Sequence, residues 1–520
     1  QNYLNIAYFG DGAYGISAAA KHYFSVKAAD LTLTQAATLA GLVKNPVQYD
    51  PVSYPENALS RRNTVLATME KQGEITTKEA DEALAAPLGL KVTEFSNGCV
   101  SSKAPFFCDY VRRYLVQSKA LGDTEDERQH KLETGGLTIH TTLDPRMQKA
   151  TDKAVQHRVA PKDQAIGAQA IVQPGTGKVR ALSQSRPMGN DKKKGDTYIN
   201  YTVPKDLGGS NGFQAGSTFK VFTTAAALEE GYPTSTYFYS PEVTTLTGYH
   251  SCSGSTFAPW TVHNSTTNGG KTMVTGLQQS VNTYYAQLER LVGLCPTTKM
   301  AKSMGLEFPE SSQVPAFTLG VIDVSPLEMA AAYATFPGRG EYCKPRPVTS
   351  IDDSDGKTVA HFKASCKRVI DKATADTVNE ILQGVQSPTG FGAALQLNQQ
   401  SAAKTGTTSD NKAVWYMGYT PNLVTASMIA GANQYGQPMS LAGQTLNGTY
   451  FSFHAIGGSS LAGPMWYDAM SRIQGFLPNE SFHSPGSLGS APTDTPQMPA
   501  PEPTQSYGGD YGGDTGGGDT

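Results

Sequence analysis

Ser217 and Lys220 stand three residues apart in FQAGSTFKVFTTAAALEEG, residues 213–231, at the opening of an apolar helical run. Positions three apart share a helix face, so the hydroxyl and the ammonium can lie side by side within one turn. A serine hydroxyl attacks poorly until a neighbour takes its proton, and a partly desolvated lysine is neutral enough to take it. The start of a helix also points free backbone N–H groups outward, where they stabilise developing negative charge. The pair is therefore suited to nucleophilic catalysis, although S-x-x-K alone also arises by chance in a chain of this length.

Two further stretches follow in the chain. Ser280-Val281-Asn282 lies in LQQSVNTYYAQL, and its first and third residues face alike only in a turn or loop, because positions two apart diverge on a helix. By itself it reads equally as a helix cap or a surface turn. Lys404-Thr405-Gly406-Thr407-Thr408 lies in SAAKTGTTSDNKAVWYMGY. Read as a strand, it puts Lys404, Gly406 and Thr408 on one face and Thr405 and Thr407 on the other. Gly406 would let a ligand backbone approach the strand edge, and Lys404 with the threonine hydroxyls would receive an anionic substrate end. A polar turn is the plain alternative. The nine histidines are scattered without metal-ligand spacing and read as structural. Of the aromatic residues, VWYMGY (414–419) reads as sheet packing, and Trp260 is a candidate for the cleft wall.

The elements that must position these groups form an α+β pattern. Residues 1–90 read as helical: ISAAAKHYF, then LTLTQAATLAGLVKNP ending before Pro46, then two short helices broken at Gly73 and Pro87. Residues 91–160 read as an inter-domain region in which GLTIHTTLDPRMQKATDKAVQHRV gives a strand, a turn at Asp144-Pro145 and a helix. From 161 to 478, hairpins at AIVQPGTGKVRAL and at SAAKTGTT with AVWYMGYTPNLVTASMIAG enclose several helices, which predicts one sheet covered by helices. Residues 479–520, rich in glycine, proline and aspartate with no lysine or arginine, read as a disordered acidic tail.

At 520 residues the chain exceeds one ordinary core, so at least two domains, or one with attachments, are expected. The formal net charge of -3 makes no case for a nucleic-acid partner. No run of eighteen apolar residues occurs, but the chain opens at QNYLN without a methionine, which suggests a larger parent with an anchor upstream. The six cysteines, Cys99, Cys108, Cys252, Cys295, Cys343 and Cys366, fit no zinc pattern. Disulfides in an exported protein and buried free thiols both remain open, and Cys99 with Cys108 and Cys343 with Cys366 each flank a loop-like segment.

S-x-x-K, S-x-N and K-T-G in that order resemble the penicillin-recognising serine transpeptidases and class A β-lactamases. The surroundings, FQAGSTFK, AIVQPGTGKV, LGVIDVSPLEMAAAYATF and KTGTT, resemble class A penicillin-binding proteins more closely, with Ala215 where that family more often has proline. Residues 1–90 resemble the last part of a lysozyme-like peptidoglycan glycosyltransferase domain, without counterparts of its two acidic catalytic positions. The resemblance implies a penicillin-binding transpeptidase fold, an antiparallel sheet covered by helices. It implies that Ser217 attacks between the terminal D-alanines of a stem peptide and that Lys220 takes its proton. The backbone N–H groups of Ser217 and Thr407 would form the oxyanion hole. Ser280, supported by Lys404, would pass a proton to the leaving D-alanine, while Asn282 would hold the peptide and Lys220. Thr405 and Thr407, with Gly406 and Thr408 in the same strand, would receive the carboxylate. An amine acceptor, β-lactams, lipid II for the parent and cell-wall regulators are the implied partners, outside the bacterial membrane and with no cofactor or metal. The alternatives are a β-lactamase, which would need a water-activating glutamate among Glu289, Glu307, Glu310, Glu328, Glu341 and Glu380, or a noncatalytic β-lactam or cell-wall sensor.

Overall fold

The computed structural model describes residues 2–11, 13–93, 98–433 and 435–485, so the expected tail lies outside the described residues from 486 onward. The chain divides into two compact units, Gln1–Ser102 and Lys103–Thr520.

The first unit is built mainly on α1 (Ile16–Phe24), α2 (Leu33–Leu42), α3 (Pro55–Lys71) and α4 (Thr77–Ala85). Thr32 and Thr76 start α2 and α4 as capping boxes, each accepting from the N–H three residues on while Gln35 and Glu79 reach back to the cap. At 17 residues α3 is longer than the short helix expected, and it stops just before Gly73. Its Arg62 is fully buried and donates to the carbonyls of Leu84 and Ala86, which satisfies acceptors that the end of α4 leaves without helical partners.

The second unit takes in the region read as inter-domain from Lys103 on. Strand Thr138–Thr141 pairs antiparallel with Val348–Asp352, and α5 (Pro145–Arg158) follows the Asp144-Pro145 turn as expected. The central sheet has six strands: β1 (Ala165–Gln173), β2 (Lys178–Gln184), β3 (Ala402–Thr407), β4 (Ala413–Tyr419) and β5 (Val424–Ala432), in the order β3-β4-β5-β1-β2, and the short strand Pro438–Met439 paired with the end of β5. Every neighbouring pair is antiparallel, so the two hairpins separated by over 200 residues zip together through β5 and β1. VWYMGY lies in β4, buried along its whole length, which requires cover on both faces.

The period-two alternation of β4 decides which cover each residue meets. Tyr416 stacks on Trp466 of the C-terminal helix Gly463–Ile473, at 5.3 Å between ring centroids. Tyr419 points the other way, donating to Asn379 of helix Lys372–Gln383 and meeting Tyr333 of helix Pro326–Tyr333. On the side of Trp415, whose indole N–H donates to the Gln214 carbonyl, lies α6 (Lys220–Glu229), with every residue from Lys220 to Leu228 buried. Tyr333 donates to the Thr218 carbonyl and thereby ties the entry of α6 to the helical layer.

The cysteines resolve to disulfides. Cys252 pairs with Cys295 and Cys343 with Cys366, and Cys99 and Cys108 are disulfide-bonded as well.

Candidate active site

Ser217 occupies a tight turn, Gly216–Phe219, that leads directly into α6. Gly216 is in the left-handed region, with φ of 58°, and a side chain there would fall 2.8 Å from the Thr407 carbonyl oxygen and 3.1 Å from its nitrogen. A glycine is therefore required on both conformational and steric grounds, and the close approach sets the end of β3 against the nucleophile's backbone.

The S-x-N stretch is a break between helices. α7 (Met273–Gln278) ends, Ser280 takes φ of 57°, and α8 (Asn282–Val292) begins. This left-handed residue turns both Ser280 and Asn282 toward Lys220. The Lys220 ammonium nitrogen, Nζ, lies 2.9 Å from Ser217 Oγ, 2.7 Å from the Ser280 carbonyl, 2.6 Å from Asn282 Oδ1 and 3.3 Å from Ser280 Oγ. Asn282 donates its amide N–H to the His263 carbonyl, which fixes its Oδ1 toward the lysine. From the opposite side Lys404 Nζ reaches Ser280 Oγ at 2.8 Å and the Thr405 carbonyl at 2.8 Å. The Ser280 hydroxyl thus lies between two lysines.

Both amines are buried, and neither has a carboxylate partner among the described residues. Desolvation pushes Lys220 well below the ordinary lysine range, with the neighbouring Lys404 charge adding to it, and pushes Lys404 down to about 7. A neutral amine has two N–H donors and one lone pair. At Lys220 the carbonyl oxygens of Ser280 and Asn282 can only accept, so they take the two N–H groups. The lone pair is left for the Ser217 hydroxyl.

The expected faces of the 404–408 strand hold: Lys404, Gly406 and Thr408 are buried, Thr405 is half-buried and Thr407 exposed. The missing side chain of Gly406 makes room for the Ala215 carbonyl and the Thr218 methyl, each 2.8 Å from where a Cβ would stand. The Thr408 hydroxyl accepts from Ala413 N–H at 2.9 Å and closes the β3–β4 connection, and Thr408 also lines the cleft.

Ser217, Ser280, Asn282, Thr405 and Thr407 open onto one cleft of about 680 Å³. Its walls include residues that the motifs did not indicate: Phe391, Phe453, His454 and the glycine-rich 457–458 turn. Trp260 is on the wall as expected, carried with His263 on a hairpin that pairs Val243–Leu246 with Trp260–His263. His263 and His454 line the cleft, where the sequence suggested only structural histidines. Among the described residues that line the cleft, none is a carboxylate.

Residues 167–447 match the sequence model of the penicillin-binding protein transpeptidase domain, and residues 1–70 match that of the transglycosylase. The chain belongs to the penicillin-binding protein family. Penicillin-binding protein 2D of Bacillus subtilis is 32% identical over 432 residues, 81% of this chain and 59% of that protein. The chain therefore spans less than two thirds of that relative. Penicillin-binding protein 1A of Haemophilus influenzae shares the fold with a TM-score of 0.72 at 20% identity, over 93% of this chain and 86% of its own. The PonA1 protein of Mycobacterium tuberculosis in complex with penicillin V aligns with a TM-score of 0.55 and 26% identity, over 71% of this chain and 94% of its own. As in other penicillin-binding proteins, an α+β transpeptidase domain follows a helical transglycosylase segment. Among the described residues no helix is long and apolar enough to cross a membrane.

Proposed function

We propose that this chain is the cross-linking part of a longer peptidoglycan synthase and that Ser217 is its nucleophile. The observation that carries the reading is the buried Lys220 amine, 2.9 Å from Ser217 Oγ and within hydrogen-bond distance of the Ser280 carbonyl and Asn282 Oδ1. Lys220 takes the Ser217 proton as Oγ attacks the carbonyl between two terminal D-alanines of a stem peptide. The negative charge that forms on the carbonyl oxygen is met by the N–H groups of Ser217 and Thr407, which are worth most once that charge exists. Ser280, bridging Lys220 and Lys404, passes a proton to the departing D-alanine nitrogen. Thr405 and Thr407 accommodate the terminal carboxylate, with the Lys404 charge behind them. A second stem peptide then supplies an amine that attacks the acyl-enzyme and restores Ser217. A β-lactam offers a similar carbonyl and carboxylate, which fits the penicillin V complex of the PonA1 relative. The longer protein also polymerises glycan from lipid II at the outer face of the cell membrane, held by an upstream anchor.

The test is cross-link formation by the full parent from lipid-linked substrate and an amine acceptor, with fluorescent penicillin labelling alongside. Ser217→Ala is expected to abolish both, and undiminished cross-linking in that variant rejects the nucleophile. The β-lactamase reading needs a carboxylate to activate water on the acyl-enzyme, and none of Glu289, Glu307, Glu310, Glu328, Glu341 and Glu380 lines the cleft. The penicillin adduct should accordingly persist for many minutes; release within seconds would favour the lactamase. A labelled chain whose parent forms no cross-link would be a sensor.

A further inference from the structure

A second cavity, of about 430 Å³, shares no lining residue with the active-site cleft. It opens beside the start of β1 and the end of β5, and its cations are Arg186, Lys162, Lys192 and Lys193. Arg186 is 4% exposed, and its guanidinium donates to the Ala432 and Asn433 carbonyls. No carboxylate lies within ion-pair distance of it among the described residues. Unlike the buried lysines of the active site, an arginine cannot shed its proton, so burial leaves a charge that the protein itself does not balance. Two carboxylates also line the cavity, and neither lies within ion-pair distance of Arg186. Asp163 accepts from the backbone N–H groups of Ala160 and Asn447, and Asp196 accepts from the N–H of Asp191.

The lysines are held by a built loop. Asp191 accepts from Lys193 N–H through its side chain and from the N–H groups of Lys194 and Asp196 through its carbonyl. Lys192 and Lys193 are exposed and line the same cavity as the buried guanidinium, with Lys192 Nζ donating to the Asp196 carbonyl at 3.3 Å. Four cations against two occupied carboxylates leave an excess of two positive charges, in a chain whose net charge is -3. A buried guanidinium and three lysines lining one cavity match the charge of phosphate better than that of a single carboxylate.

We propose that this cavity binds a phosphate-bearing anion, with Arg186 at its base and Lys162, Lys192 and Lys193 at its mouth. The site is separate from peptide cross-linking and does not depend on the reading of Ser217. The phosphate could belong to a soluble or polymeric phosphate or to a lipid headgroup.

Titration calorimetry of the whole chain with inorganic pyrophosphate, and co-sedimentation with phosphatidylglycerol vesicles, distinguish the sources. Saturable binding in either arm that is at least tenfold weaker in the Lys192→Gln/Lys193→Gln variant supports the site. Pyrophosphate binding alone assigns a soluble or polymeric phosphate, and vesicle binding alone assigns a headgroup. Penicillin labelling of Ser217, unchanged in the double variant, shows that the fold is intact. Arg186→Gln, if it folds, should lose binding completely. Absence of binding in both arms, or equal binding by parent and double variant, overturns the proposal.

Discussion

Lys220 and Lys404 meet at a single hydroxyl, that of Ser280, with no carboxylate paired to either among the described residues. Burial makes this arrangement reactive and also costly, and the cost can be measured. In the folded state Lys404 loses its proton above about 7, whereas in the unfolded chain it keeps it to about 10.4. Between those values unfolding takes up a proton, so the contribution of Lys404 to stability rises with pH, by up to about 1.4 kcal/mol per unit. Below about 7 both states are protonated and this contribution is flat. Urea unfolding of the chain at pH 6, 7, 8 and 9 should therefore show stability rising above pH 7, and Lys404→Met should lower that slope by up to about 1.4 kcal/mol per unit while Lys220 keeps its own part; an identical slope in the variant would mean that the folded Lys404 stays charged. Gly406 makes a steric prediction. Gly406→Ala places a methyl 2.8 Å from the Ala215 carbonyl oxygen, pushing β3 away from the Ser217 turn. Penicillin acylation should slow by about tenfold or more, equivalent to about 1.4 kcal/mol of lost transition-state stabilisation. An acylation rate equal to the parent's would show that the strand can shift without moving the site.

At the scale of elements, the site depends on where helices stop. Had the 273–292 segment been one helix, Ser280 and Asn282 would have diverged; the left-handed Ser280 ends α7, restarts the chain as α8 and aims both groups at α6. The cleft wall is fixed by a different device. The Cys252–Cys295 disulfide closes a 43-residue separation and ties the loop between the two strands of the Trp260 hairpin to helix Leu294–Ser303. Cys252→Ser/Cys295→Ser should lower the unfolding free energy by about 2–4 kcal/mol, since the unfolded chain regains the freedom of that loop. Equal midpoints and slopes in denaturant for the variant and the parent would show the link to be dispensable.

At the scale of the molecule, the second unit contains every group proposed for cross-linking. A chain of residues 98–485, which keeps all six cysteines and all of the described second unit, should be acylated by penicillin at the parent's rate. A large loss of rate would place part of the site's support in the first unit or the tail. Local pattern made much of this legible beforehand. Strand alternation at 165–184 and 402–432, helical spacing at 220–229 and 372–383, and the order of three motifs all depend on residues near one another in the chain. The faces of Lys404, Thr405 and Thr407 were legible for the same reason: a strand alternates wherever it is placed. Tertiary structure alone decided the rest. It brought Ser280 to Lys220 across 60 residues and to Lys404 across 124, chose Cys295 as the partner of Cys252, and set Phe391, Phe453 and His454 around the cleft. It also packed Ala215 and Thr218 against Gly406, because what fills the space beside a glycine comes from another part of the chain. Periodicity specifies which way a side chain points from its own element, whereas its neighbour is specified only once the elements are packed.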